Sequence, residues 1–160
     1  MPPELRENTG EVEAALKYNL PIIIDYKDLR GDLQVHTNWT DGANPIKEMA
    51  EEAKRIGLQY IVISDHSKGL AMTGGLDDEA LLKQGAEIDK INEKIEGFRI
   101  LKGVELNIMK DGSLDISDKT LKQLDVVGAA VHSNLNMSKD EMTKRVSKAM
   151  ENPNVDIICH

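Results

Sequence analysis

The four histidines of this 160-residue chain all fall where a strand-like stretch runs out, in Gln34-Val35-His36, Ser64-Asp65-His66, Val131-His132-Ser133 and Cys159-His160. Glu105 stands the same way behind Ile100-Leu101-Lys102-Gly103-Val104. Strands of a βα protein deliver their functional side chains at the carboxyl ends, where loops from several strands converge. The pattern therefore predicts one cluster of imidazoles and carboxylates, and the chemistry of such a cluster is metal-assisted hydrolysis. His36, His66, His132 and His160, with Asp41, Asp65 and Glu105, form a donor mix that suits Zn, Mn or Fe better than Ca or Mg. Glu105 is the bridging candidate, because a carboxylate buried among imidazoles is costly unless cations neutralise it. Asp41 sits in Thr40-Asp41-Gly42, which is also a turn signal, so ligation and turn formation fit it alike. Asp65 fits either a catalytic role or that of orienting the neighbouring histidine.

Other residues suit contact with a substrate. Trp39 is the sole tryptophan and follows the first strand, where an indole could stack on a sugar or base or simply pack the loop. Lys68 could neutralise a phosphate close to the cluster, and Arg145 could do so from further along the chain. Gly74 and Gly75 do not match a phosphate-binding loop and read at most as a flexible lid. Cys159, the only cysteine, excludes an internal disulfide, fits a reducing cytoplasm, and reads as a strand residue rather than a nucleophile. A net charge of −8 excludes a broad nucleic-acid-binding surface, so any DNA contact would be local or metal-mediated.

The elements that must position these residues follow from periodicity. Residues 1–30 read as a connecting helix and linker, with Asn8 and Glu11 spaced as a capping box and Val12, Ala15 and Leu16 on one side. From Asp32 the pattern becomes βα, and strand alternation puts Gln34 and His36 on one face. Asn44-Pro45 starts a helix carrying Ile46, Met49, Ala50, Ala53 and Ile56, which Gly57 stops. Residues 60–64, 99–105, 126–131 and 155–159 read as further strands. Helices begin near Asp77, over 117–124, and at a Ser138/Glu141 capping box with Met142, Val146, Ala149 and Met150 inward. Five strands alternating with helices imply a parallel sheet. An eight-strand barrel needs roughly 200 residues or more, so closure is not expected. No apolar run reaches the roughly 20 residues of a membrane helix, and the opening residues lack a signal peptide's apolar stretch, so a cytoplasmic protein without a membrane partner is expected.

Taken in order, Gln34-Val35-His36-Thr37-Asn38-Trp39-Thr40-Asp41-Gly42, Ser64-Asp65-His66-Ser67, Gly103-Val104-Glu105, Val131-His132-Ser133 and Ile158-Cys159-His160 resemble the polymerase and histidinol phosphatase (PHP) family. Within it the likeness is to the carboxyl-terminal PHP domain of bacterial and archaeal family X DNA polymerases. Pro2-Pro3-Glu4-Leu5-Arg6-Glu7, Ser67-Lys68, Gly74-Gly75-Leu76-Asp77 and Asp111-Gly112-Ser113-Leu114-Asp115 carry that narrower resemblance.

The resemblance implies an α/β fold, a distorted seven-stranded βα barrel of PHP type, over residues 31–160. With about five βα units in this chain, the carboxyl-terminal part of the barrel is expected to be missing. It implies up to three divalent ions (Mn, Zn or Fe) and phosphoester hydrolysis, in this subgroup a manganese-dependent 3′-to-5′ exonuclease or DNA end-processing activity. By resemblance His36 and Glu105 hold one ion, Glu105, His132 and His160 a second, and Asp41 with His66 a third. Glu105, His132 and Asp65 carry the catalytic role. Gln34 stands where the family commonly has the first histidine of His-x-His, and an amide oxygen is a poorer ligand. The family's late Asp-x-His motif lies beyond this chain, which would leave the first and third sites incomplete. Expected partners are DNA ends or another phosphoester, polymerase domains of a longer protein, and a second copy at the open sheet edge. Two alternatives stand beside this: a small-molecule phosphatase of the histidinol phosphatase kind, and an inactive metal-binding structural module.

Overall fold

The computed structural model describes residues 1–160, the side chain of Ala71 apart. It is an α/β fold with one five-stranded parallel sheet in sequential order. The strands are β1 (Gly31–Val35), β2 (Tyr60–Ile63), β3 (Arg99–Asn107), β4 (Val126–Ala130) and β5 (Ile157–Ile158). The helices are α1 (Glu11–Leu16), α2 (Ile46–Arg55), α3 (Asp78–Asn92), α4 (Asp118–Leu121) and α5 (Lys139–Met150). Strand β3 hands the sheet on. Its first residues pair with β2, from Tyr60 opposite Arg99, and its later ones with β4, from Gly103 opposite Val126. Strand β5 enters opposite Gly128. This progressive stagger is the slant by which a sheet curls toward a barrel.

Apolar runs such as Ile61-Val62-Ile63 are buried throughout, as parallel strands covered on both faces must be. One part of the core gathers Val35, Ile46, Ala50, Ile61, Ile63, Ile88 and Ile100, and another Val104, Leu106, Ile108, Val127, Ala129 and Ala149. Trp39 packs against both, and its indole N–H donates to Glu87. That is the loop-packing role. Among the described residues no helix is long and apolar enough to cross a membrane.

Several local expectations change. Asn8 does not cap α1, whose N-cap is Gly10; Glu11 alone keeps its half of the box by accepting from the Asn8 and Thr9 N–H groups. The apolar side of α1 is uncovered, with Val12 and Leu16 exposed. Pro45, not Asn44, is the N-cap of α2, and the Asn44 amide turns to Glu48. Ile56 and Met150 face solvent. The inward place expected for Met150 goes partly to Arg145, which is 2% exposed and donates to the carbonyls of Ile108, Met109 and Ser133. Arg145 therefore ties α5 to the loops after β3 and β4 and has no face for a phosphate. Gly74 and Gly75 belong to a pinned loop rather than a lid: Lys68 N–H donates to Leu76 and Leu76 N–H to His66. A Cβ on Gly75 would lie 2.0 Å from the Ser67 carbonyl oxygen, so the glycine permits that backbone approach.

Candidate metal centre

Each strand delivers one histidine or carboxylate to a single point. His36 follows β1, His66 follows β2 and bridges to Glu105 of β3, His132 lies two residues past β4, and His160 two past β5. Glu105 is 1% exposed and lies between all four imidazoles. Its Oε2 is 3.2 Å from His36 Nε2 and 3.5 Å from His66 Nδ1. Its Oε1 is 3.2 Å from His132 Nε2 and 2.9 Å from His160 Nε2. In a flat sheet β1 and β5 would stand about 19 Å apart, four spacings of about 4.8 Å. The curl lets residues from both edges reach one carboxylate.

Asp41 completes the other side. Its Oδ1 is 3.1 Å from His36 Nδ1 and its Oδ2 3.5 Å from His66 Nε2. Two triads result, His36 with Asp41 and His66, and His66 with Glu105 and His132, each with its ligand atoms within 4.8 Å of one another. His66 thus belongs to both groups. Asp65, in contrast, touches no imidazole. Fully buried, it accepts from the Thr37 N–H and hydroxyl, the Thr40 hydroxyl and the Gln84 amide at 2.6–2.7 Å. Both oxygens are taken, so Asp65 positions the loop that carries Asp41 rather than meeting a substrate. Gln34 presents its NH2 group to the cluster, donating to Glu105 Oε2 at 2.7 Å. An amide nitrogen has no free lone pair, so in this arrangement Gln34 is a donor to the carboxylate and not a ligand.

Do these residues fit a metal ion? His66 Nδ1 and Glu105 Oε1 are buried without a hydrogen-bond partner, although Glu105 Oε2 lies 3.5 Å from the first and His132 Nε2 and His160 Nε2 lie 3.2 and 2.9 Å from the second. Tetrahedral coordination with bonds of about 2.0–2.1 Å puts neighbouring ligand atoms about 3.3 Å apart. The nitrogen-to-oxygen separations here are of that size, and those of His66, His132 and His160 lack hydrogen-bond geometry, so the donor set fits a divalent ion. Charge points the same way. Burial would raise the Glu105 carboxyl, but the His36 hydrogen bond and the charges of His66, His132 and His160 hold it down at about 2. The hydrogen bond to Glu105 lifts His36 to about 9, against burial and with help from Asp41, while burial lowers His66. Burial and the Glu105 charge raise Cys159, which keeps its thiol protonated.

Lys68 is not in the cluster; its ammonium is paired with Asp78 at 3.4 Å. Beside His132 a cleft of about 500 Å³ opens, lined by Lys110, Asn134, Asn136 and Met137 among others. Three contributors escaped the sequence reading. Lys110 is one; Asn107 and Asp115 are the others, and Asn107 bonds His132 at 2.7 Å. Strand period would have pointed to Asn107, which follows Glu105 by two residues as His36 follows Gln34.

Comparisons with known proteins give the family. The sequence model described as the PHP domain matches residues 32–159. The chain is 45% identical over its whole length to the DNA polymerase/3′-5′ exonuclease PolX of Bacillus subtilis, and spans 28% of that protein. It is 41% identical over 81% of its length to a probable phosphatase of Thermoanaerobacter sp., and 34% identical over 81% to one of Syntrophotalea carbinolica, spanning 52% and 53% of those proteins. The family match over residues 32–159 takes in nearly the whole sheet, and this chain belongs to the PHP domain family.

Proposed function

We propose that this chain is the metal-dependent phosphoesterase domain of a polymerase X-type protein, trimming DNA from the 3′ end in the cytoplasm. The observation that carries the reading is Glu105, a buried carboxylate whose two oxygens each face a different pair of imidazoles. That is the arrangement of a bridging ligand. His36, His66 and Asp41 would hold one side of the centre and His132 with His160 the other. A bound divalent ion, Mn, Zn or Fe, would supply charge neutralisation at the phosphate and a water of lowered pKa. The chain's own residues do the rest. Gln34 and Asp65 fix the carboxylate and the Asp41 loop, and the cleft beside His132 receives the group bonded to the phosphate. We assign Lys110 the phosphate contact in place of Lys68, which Asp78 occupies. Residues 1–30 would connect this domain, residues 31–160, to polymerase domains.

A second reading has support of its own, since relatives at 41% and 34% identity are named probable phosphatases. The test is turnover by the 160-residue chain with manganese on a 5′-labelled oligonucleotide and on p-nitrophenyl phosphate. Stepwise loss of 3′ nucleotides, reduced about 10³-fold or more in Glu105→Gln, is the expected result. Hydrolysis of the monoester alone would favour the phosphatase, and metal binding without any turnover would leave a structural module.

A further inference from the structure

Asp115 is a hub of acceptors. Its carboxylate receives the Ser67 hydroxyl at 2.8 and 2.9 Å, the Gly69 N–H at 2.8 Å, and both the backbone N–H and the side-chain amide of Asn107 at 3.0 Å. Glycine at 69 is part of the fit, because a Cβ there would lie 2.6 Å from Asp115 Oδ2 and 2.7 Å from Asn107 Nδ2. A carboxylate only accepts, so the Asn107 atom facing it must be the NH2 group. The amide oxygen then faces His132 Nδ1 at 2.7 Å, and an amide oxygen also only accepts. The proton of neutral His132 must therefore sit on Nδ1. Nε2, 3.2 Å from Glu105 Oε1, is left with its lone pair directed into the centre.

We propose that Asp115 and Asn107 form a positioning relay that sets the tautomer of His132, so that its Nε2 is ready for a metal ion before any ion arrives. The inference rests on His132 being a ligand of the proposed centre, and it makes Asn107 and Asp115 positioning residues for it. Partners of this kind hold the ring orientation and typically change metal affinity about 10- to 100-fold when removed. Asp115 lies in the turn after β3, and Ser67 and Gly69 lie in the loop after β2. The relay thus couples the shape of two loops to a ligand that follows β4.

The test reads the tautomer in the metal-free chain by nitrogen-15 NMR of the imidazoles, at a pH where they are neutral, with His132 assigned by its absence in a variant. Zinc affinity is measured in parallel by calorimetry. Wild type should carry the His132 proton on Nδ1. Asn107→Leu should mix the tautomers and weaken zinc about 10- to 100-fold. Asn107→Asp alone should also weaken zinc, because it sets two carboxylates 3.0 Å apart. Combining it with Asp115→Asn should recover affinity in part and keep the His132 proton on Nδ1, since the amide then donates from position 115 and a carboxylate oxygen at 107 still accepts from His132, while the new NH2 gives up the Gly69 N–H at 2.8 Å. A wild-type proton on Nε2, or unchanged tautomer and affinity in Asn107→Leu, would overturn the relay. Should Asn107→Leu not fold, the swapped pair decides alone: Nδ1–H supports the relay and Nε2–H sinks it. None of these readouts needs turnover, so loss of the proposed hydrolysis and loss of the relay are told apart.

Discussion

His36 is held between two carboxylates, and this sets how protons and metal ions must compete at the centre. The hydrogen bond to Glu105 raises its pKa from 6.5 to about 9, so in the metal-free chain its ring is an imidazolium near neutral pH. An ion that takes Nε2 must release that proton, and zinc affinity should climb as pH rises toward about 9. Calorimetry in buffers of different ionisation enthalpy measures the release, and His36→Gln should abolish its share. The same pair shapes stability in chelator. A raised histidine stabilises fully below 6.5 and loses its contribution as pH climbs through about 9. A depressed Glu105 stabilises above 4.5 and loses its contribution as pH falls through about 2. Melting temperature against pH should therefore show this pair's plateau between 4.5 and 6.5, with the alkaline limb flattened in His36→Gln. The histidines and Glu105 were legible in the sequence because strand ends are marked by local pattern. Strand period puts Asn107 on the face of Glu105, but its role was not legible, since an asparagine takes its meaning from partners 40 residues away at Ser67 and 25 away at His132.

Helix starts were read well wherever the signal is short-range. Ser138 and Glu141 exchange both capping bonds, and Ser117 and Asp77 cap α4 and α3 as their sequences suggest. Asn8 and Asn44 show the limit, for each has a capping residue type but the N-caps are Gly10 and Pro45, and the Asn44 side chain is taken by Glu48. Arg145 fails for another reason. Helical spacing places it on the same side as Met142 and Ala149, but an arginine there makes sense only once the carbonyls of Ile108, Met109 and Ser133 are brought to meet it. Its burial lowers its pKa, and three acceptors keep the guanidinium satisfied in the core. Arg145→Met would leave those carbonyls without their donor. We expect a loss of about 3 kcal/mol in urea unfolding, the cost of charged hydrogen bonds removed and buried acceptors left bare. Substrate KM should stay unchanged, whereas a phosphate-binding arginine would raise KM and leave stability alone.

Across the whole molecule the centre depends on the curl of the sheet, which brings its two edges to one carboxylate. The parallel direction was visible in the alternation of strand and helix patterns, but the degree of curl was not. Curl depends on stagger, and the stagger arises where β3 passes its pairing from β2 to β4 at Gly103, a register that no local pattern records. The consequence is energetic. Donors that follow the other four strands converge on Glu105 of β3, with uncompensated polar atoms at His66 Nδ1 and Glu105 Oε1. Ions held by these residues would favour the folded sheet by mass action. At 100 times its dissociation constant one such ion contributes about 2.7 kcal/mol. For a domain of this length that corresponds to a rise in Tm of roughly 5–10 °C. Thermal unfolding in chelator and in graded zinc or manganese measures it. Glu105→Gln should remove the rise, because both halves of the centre share that carboxylate. His160→Ala should remove only part, since His36, His66 and Asp41 remain together on the other side. A Tm that zinc and manganese leave unmoved in wild type would mean that the five strand ends meet without holding an ion, and the phosphoesterase reading would lose its chemical basis.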